Sequence, residues 1–279
     1  MEQEESDIAR LRDVLTQPEP HINLAAAALM LAEMEHRHLA ARMHMQELAA
    51  LAATLRPRLA PDLLVEESLP LLGLYLGEEC GFRGNEEDYY DPANSYLNEV
   101  LRRRVGLPIT LSLVYIEVGR RVGLDIQGIG FPGHFIVGAQ AEHGHLYLDP
   151  FHRGRLRTRS DLAEQLRLSY GRTMPLREAM LQPVTKRSII VRMLRNLKQA
   201  YISRKQLELA IRAESRLISL DPGDLGELRD RAVMYFQLQQ WDKAKEDLDT
   251  YLSASPTPAD AQAMREMKMT VETLLGTLN

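Results

Sequence analysis

Apolar residues early in the chain recur at helical spacing. Leu24, Ala28, Leu31 and Met34, with His38 next in the series, fall on one face of a run that holds no Pro or Gly before Pro57. The pattern predicts one long helix from Leu24 to Leu55, capped by Asn23, whose side chain can accept from free backbone N–H groups. Pro57 and Pro61 end it. A second helix is expected through DLLVEESLPLLGLYLGEECG, with Pro70 either kinking it or standing in its first turn. Asp91-Pro92 then reads as N-cap and first residue of a helix ANSYLNEVLRRRV, apolar at Leu97, Val100, Leu101 and Val105 and closed by Gly106. The following helix, Ile109 to Val122, is too apolar for a single stripe. Ile109, Leu111, Leu113, Val114 and Ile116 predict burial on most sides, and Arg120, Arg121 and Gly123 suit its C-terminal end.

After Gly123 the period changes. IQGIGFPGHFIVGA has a strand pattern with a Gly/Pro corner and carries His134. HLYLDPF is a short strand stopped at Asp149-Pro150, and EHG joins the two as a hairpin-type connection. One buried helix followed by consecutive strands predicts an α+β core with an antiparallel sheet. The segment HRGRLRTRSDL, with Arg153, Arg155, Arg157 and Arg159, is expected to be a solvated basic strand. Ser160 or Asp161 then caps a helix through Leu168, and Pro175 and Pro183 mark a linker.

The last third repeats itself. Leu194, Ala200, Tyr201, Ala210, Leu217 and Pro222 recur as Leu228, Met234, Tyr235, Ala244, Tyr251 and Pro256. That period of 34 residues is the tetratricopeptide period, and small residues at Ala210 and Ala244 let paired helices approach closely. Two helix-turn-helix units and a terminal capping helix, ADAQAMREMKMTVETLLGTL, are expected, with Trp241 opening a second helix. The organisation predicted is a helical segment over 1–80, an α+β core over 81–183 and an all-α array over 184–279.

Composition narrows the classes. The chain has 279 residues, a formal net charge of -5 and one cysteine, Cys80. A single cysteine allows no internal disulfide, which suits a reducing compartment. Net negative charge argues against a broad nucleic-acid surface. MEQEESDIARLRD is not a secretory signal, and Leu24 to Ala32 is too short to span a bilayer. A cytoplasmic protein without a membrane partner is the expectation.

Candidate chemistry lies mainly in the core. Taken singly, His134 is a hydrogen-bonded strand histidine and Asp149 a turn residue. Phe131, Pro132, Phe151, Tyr89 and Tyr90 either line a common cleft with them or pack as ordinary core and loop. His36 and His38 stand two apart and point to different sides of a helix, which disfavours a metal pair. His143, His145 and His152 would need converging geometry to bind a metal with His134. No metal or cofactor is predicted. Cys80 is flanked by Glu78 and Glu79, the opposite of what a thiolate needs, and reads as a small structural side chain.

The runs GLPITLSLVYIEVGRRVGL, GIGFPGHFIV and LDPF, preceded by YYDPANSYLNEVLRRR, resemble the transglutaminase-like domain of bacterial proteins that carry C-terminal tetratricopeptide repeats. The match is dense from Gly81 to Phe151. The resemblance implies a papain-like core in which helix, His strand and Asp strand follow in order, with His134 as base and Asp149 orienting it. Active members carry a cysteine at the start of the core helix. The matching position here falls near Pro108, and the nearest hydroxyls are Thr110 and Ser112. A hydroxyl gains far less than a thiol from a helix N-terminus, because its pKa lies much further from neutral.

The leading expectation is a non-catalytic, degenerate transglutaminase-like protein that works in protein–protein interaction or regulation through its cleft and repeats. The alternative is a hydrolase or acyltransferase on a peptide or amide, using a His134–Asp149 dyad with a hydroxyl nucleophile, Thr110 foremost. The first repeat is basic, and a groove holding Arg192, Arg195, Lys198 and Tyr201 would clamp the carboxylates of a protein or peptide partner. An array that simply packs on its neighbour is the competing expectation.

Overall fold

The computed structural model describes residues 2–36, 38–60, 63–171, 174–254 and 258–278. Pro61 and Pro256 lie outside them. In chain order the elements are α1 (Glu2–Leu15), α2 (Leu24–Glu35), α3 (Ala41–Leu55), α4 (Val65–Leu74), β1 (Arg83–Gly84), α5 (Leu97–Arg103), β2 (Val105–Gly106) and α6 (Pro108–Arg121). There follow β3 (Ile126–Ile129), β4 (Ile136–Ala141), β5 (Gly144–Asp149), β6 (Arg155–Arg157), α7 (Arg159–Tyr170) and five helices, α8 (Lys186–Ser203), α9 (Leu207–Leu220), α10 (Leu225–Gln237), α11 (Trp241–Ser253) and α12 (Pro258–Leu278). Residues 13–193 form one compact unit, and residues 1–12 with 194–279 form another.

The first unit is built around α6. Every residue from Pro108 to Gly119 is buried, as its apolar density predicts, and Pro108 stands at the first helical position, where its fixed φ and missing N–H cost nothing. Helices α2, α3 and α5 pack on it, as do strands β3 and β4. The sheet is an antiparallel meander in the order β3-β4-β5-β6, with Val137 opposite Leu148 and Gly138 opposite Tyr147. Beyond the sheet, Phe131, Ile136 and Tyr147 form a core with Leu162 and Leu166 of α7. β6 is the basic strand, with Arg155 exposed.

Several boundaries differ from the sequence pattern. The long helix divides: His36 leaves helical geometry at φ -118°, ψ 77°, and its ring meets Tyr96 edge-on at 5.3 Å. Unbroken, Leu24–Leu55 would extend about 48 Å and could not return both apolar faces to one core. The break lets Leu48, Leu51, Ala52 and Leu55 of α3 fold back alongside the buried face of α2, while Met34 is partly buried and His38 exposed. Pro70 lies inside α4, which runs on into a π-turn over Tyr75–Glu79. Asp91 does act as a cap, accepting from the Ala93 N–H at 3.0 Å, but of only a short 3-10 turn, Pro92–Ser95, before α5 begins at Leu97. α5 ends at Arg104 in the left-handed region, φ 60°, rather than at Gly106, which pairs with Gly84 in the parallel β1–β2 ladder. Thr158, not Ser160 or Asp161, caps α7; Asp161 returns the bond to the Thr158 N–H at 2.8 Å.

The second unit shows its repeat in the backbone. Lys205 and Gln239, one period apart, both adopt left-handed turns, φ 58° and 57°. The next residue donates back to a tyrosine carbonyl in each repeat, Gln206 to Tyr201 and Gln240 to Tyr235, both at 2.9 Å. Ala210 and Ala244 are fully buried. Trp241 opens α11 and meets Phe236 edge-on at 5.3 Å. Met264 and Val271 of α12 close the core over Leu248 and Tyr251.

Candidate functional site

Two turns bring the site together. His134 ends a turn whose N–H returns to the Phe131 carbonyl at 2.9 Å, two residues before β4. Gly133 in that turn has φ +68°, and a Cβ there would stand 2.6 Å from the Tyr170 hydroxyl. Asp149 is the last residue of β5. The chain then turns through Pro150–Gly154, closed by the Gly154 N–H on the Asp149 carbonyl at 2.8 Å. The π-turn after α4 presses on this loop so closely that a Cβ at Gly77 would lie 1.8 Å from the Arg153 carbonyl oxygen. His152 is thereby folded back onto Asp149.

The Asp149 carboxylate is completely buried and serves two imidazoles. His134 Nε2 lies 2.9 Å from Oδ1, His152 Nδ1 lies 2.8 Å from Oδ2, and the His152 N–H also reaches Oδ1 at 3.3 Å. Arg157 Nη1 is 3.8 Å from Oδ2. Burial pushes the carboxyl pKa up, but the bonds from His134 and His152 outweigh it and hold the group well below the usual carboxylate range. An ionised carboxylate only accepts, so His134 carries its proton on Nε2 and His152 on Nδ1. The bond to Asp149 holds the His152 imidazole above its ordinary value, against partial burial. His134 Nδ1 has no hydrogen-bond partner among the described residues.

The surroundings are aromatic on one side and charged on the other. Phe151 stands edge-on to His134 at 6.0 Å and to His152 at 5.3 Å, and Tyr89 tilts against it at 6.2 Å. Tyr90 is exposed beside Tyr89, whereas Phe131 is fully buried in the core beyond the sheet. Phe151 and His152 edge a cleft of about 950 Å³ whose walls include Arg83, Glu87, Asp88 and Arg155. Arg192 donates to the His134 carbonyl at 2.7 Å and lies over the Phe135 ring at 5.3 Å, so it fixes the backbone at the histidine.

The hydroxyl and thiol named from the sequence lie elsewhere. Thr110 Oγ accepts from the Leu107 N–H at 3.1 Å and donates to the Asn94 carbonyl at 2.7 Å, within a site of no solvent exposure. It closes the first turn of α6. Ser112 is fully buried with no hydrogen-bond partner among the described residues. Cys80 is partly buried beside Tyr75. None of the three is hydrogen-bonded to His134.

Sequence reasoning weighed His152 only as a metal ligand and missed its bond to Asp149. The signal was local: a histidine three residues beyond a strand-ending Asp-Pro can fold back onto that aspartate. His145 instead stacks on Tyr147 at 6.3 Å. His134, Asp149 and His152 are the residues of this site that could hold a cation, with their ligand atoms within 4.8 Å of one another. The ring protons that His134 and His152 direct at Asp149 would have to leave first.

The remaining predicted peptide-binding residues belong to the second unit. Arg195 pairs with Glu227 at 2.8 Å and Asp224 at 3.0 Å. Lys198 Nζ lies among Glu227, Glu214 and Asp230, at 2.5, 3.0 and 3.4 Å. Burial, only partly offset by Lys198, pushes Glu214 up to about 8. Tyr201 is buried.

Comparison with known proteins decides the family. The transglutaminase-like superfamily pattern matches residues 42–195, and a tetratricopeptide-repeat pattern matches residues 197–269. The chain is 36% identical to a UPF0162 protein of Xylella fastidiosa over 245 residues, 87% of each chain. The chain belongs to the transglutaminase-like superfamily. A UPF0162 protein of Vibrio cholerae is 31% identical over 67% of this chain and 70% of its own. F-box only protein 21 of Mus musculus is 34% identical over 100 residues, 33% of this chain and 16% of that protein. No solved structure matches. This transglutaminase-like chain has the α+β core and helical array that the resemblance implied, and no described helix is long and apolar enough to cross a membrane.

Proposed function

We propose that this transglutaminase-like protein is a cytoplasmic interaction or regulatory protein whose cleft binds rather than cleaves. The observation that carries the reading is the fate of the hydroxyl nearest the helix start. Thr110 is enclosed, holds the N-terminal turn of α6, donates to Asn94 and accepts from Leu107, so its proton and one lone pair are committed to structure. A serine or threonine nucleophile needs its hydroxyl within hydrogen-bond reach of the base. With proline near the position matched to the cysteine and no described hydroxyl or thiol hydrogen-bonded to His134, the His–Asp pair is on this reading a preorganised polar wall. The tetratricopeptide array supplies a second binding surface of a type that commonly engages protein segments. Its first repeat's Arg195 and Lys198 are matched by carboxylates of α9 and α10, so a partner there would have to compete for them. Intact-mass analysis after treatment with acylating and fluorophosphonate probes tests the reading. No adduct is expected, and an adduct on Thr110 or Ser112 would reverse it.

A hydrolase or acyltransferase remains the second reading, favoured by one observation. The buried 2.9 Å bond to Asp149 occupies Nε2 and leaves His134 Nδ1 without a partner among the described residues, at the nitrogen through which a general base would act. On this reading the nucleophile is a water or hydroxyl brought by substrate, and an amide-cleavage assay with His134→Ala as control decides it.

A further inference from the structure

The second unit holds a groove with an occupant from the same chain. A cavity of about 510 Å³ is walled on one side by Glu4, Glu5 and Ile8 of α1 and on the other by Ile211, Arg212, Arg231, Tyr235 and Lys243 of the array. The chemistry of the two walls is complementary. The first turns of α1 carry Glu4, Glu5 and Asp7, with Ile8 one turn beyond Glu4 on the same face. The array wall carries Arg212, Arg231 and Lys243 against one acid, Glu208, around an apolar floor of Ile211 and Tyr235, with Lys243 Nζ over the Tyr235 ring at 5.4 Å. Arg231 is held by Nε and Nη2 on Asp247, at 2.7 Å each, and by Nη1 on Ser215 at 2.9 Å, so its place is fixed and its charge is shared with Asp247. The space left between the walls means that α1 fills the groove incompletely. Glu4 and Ile8 are only half-buried, and Glu5 is exposed.

We propose that this groove is a recognition site for an acidic amphipathic helix of another protein, and that α1 is its resident stand-in, displaced when that partner binds. The recognised pattern is the one α1 displays: two adjacent carboxylates followed by an aliphatic residue three to four positions on. Tethering makes α1 a competitor at high effective concentration, so the apparent affinity for an external helix is lowered by the fraction of molecules whose groove is open. The proposal rests on the interaction reading of the array, but it fails separately. Turnover at His134 would overturn that reading, whereas the groove is tested by binding alone.

The experiment uses a fluorescein-labelled peptide of residues 2–16, EQEESDIARLRDVLT, and the full chain, followed by anisotropy. Wild type is expected to bind it at least tenfold more weakly than a chain in which Glu4→Gln, Glu5→Gln and Ile8→Asp release α1. Adding Arg212→Glu and Lys243→Glu to the released chain is expected to weaken binding tenfold or more. A peptide carrying Glu4→Lys and Glu5→Lys tests the same charges without any protein variant, and it should bind at least tenfold more weakly to the released chain. Equal affinity for wild type and released chain, or indifference to the charge reversals, would overturn the proposal. So would light scattering in which wild-type mass rises with concentration, because α1 would then be exchanged between copies rather than seated in its own.

Discussion

His134 and His152 share one buried carboxylate, each taking a different oxygen of Asp149, at 2.9 and 2.8 Å. That sharing ties two turns together, the one before β4 and the one after β5, and fixes which nitrogen of each ring carries its proton. The arrangement is a fold element as much as a chemical one.

Replacing Asp149 by asparagine should therefore cost stability before it costs anything else. The amide offers one acceptor oxygen where two donors converge, and its NH₂ would face a ring N–H. Buried hydrogen bonds to charged groups are each worth about 1.5–3 kcal/mol, so a loss of about 2–4 kcal/mol is expected in a denaturant titration of Asp149→Asn. His152→Ala, at a ring 47% exposed, should lose no more than about 1 kcal/mol.

The shared carboxylate also sets a pH dependence with two opposite limbs. Asp149 is depressed in the folded protein, so its contribution is present above the unfolded value near 4 and is lost as pH falls through the lower folded value. His152 is raised, so its contribution is full below about 6.5 and is lost as pH rises through the folded value. Denaturation midpoints should fall between pH 6 and pH 9 in wild type, and fall less in His152→Ala over the same range.

Thr110 provides a test of structure against chemistry at one atom. Thr110→Val keeps the shape but leaves the Leu107 N–H and the Asn94 carbonyl only their long 3.3 Å bond to each other, with an expected loss of about 1–2 kcal/mol. Thr110→Ser should lose much less, since the hydroxyl remains. Thermal melts of the two variants measure the difference.

In the second unit the prediction concerns Glu214. Its folded pKa is pushed up to about 8 by burial, so ionising it works against the folded state as pH rises from the unfolded value towards and beyond 8. Glu214→Gln should match wild type near pH 5 and exceed it in thermal midpoint at pH 9. Lys198→Met should destabilise at both, because Glu227 loses its closest cation.

Much of the fold was legible in the chain, for identifiable reasons. Ile109, Leu111, Leu113, Val114 and Ile116 leave a helix no exposed face, and burial of α6 follows. The 34-residue recurrence survives as matched left-handed turns at Lys205 and Gln239. His134 and Asp149 meet as the family order implies. What was not legible depended on tertiary constraint. The run from Leu24 to Leu55 has no breaker, and only the need to pack both halves on one core turns it at His36. Arg104 takes a left-handed cap that local propensity assigns to Gly106, because Gly106 is held in a ladder with Gly84. His152 depends on a loop shaped by the close approach at Gly77, and the role of Thr110 depends on Asn94, far from it in sequence.

The most direct measurement is turnover: release of product from peptide and amide substrates, and acyl transfer to amines, by wild type and by His134→Ala with its folding verified by circular dichroism. A cleft without a nucleophile predicts the same background rate for both proteins. Turnover in wild type that disappears in a folded His134→Ala would contradict it and make the dyad catalytic.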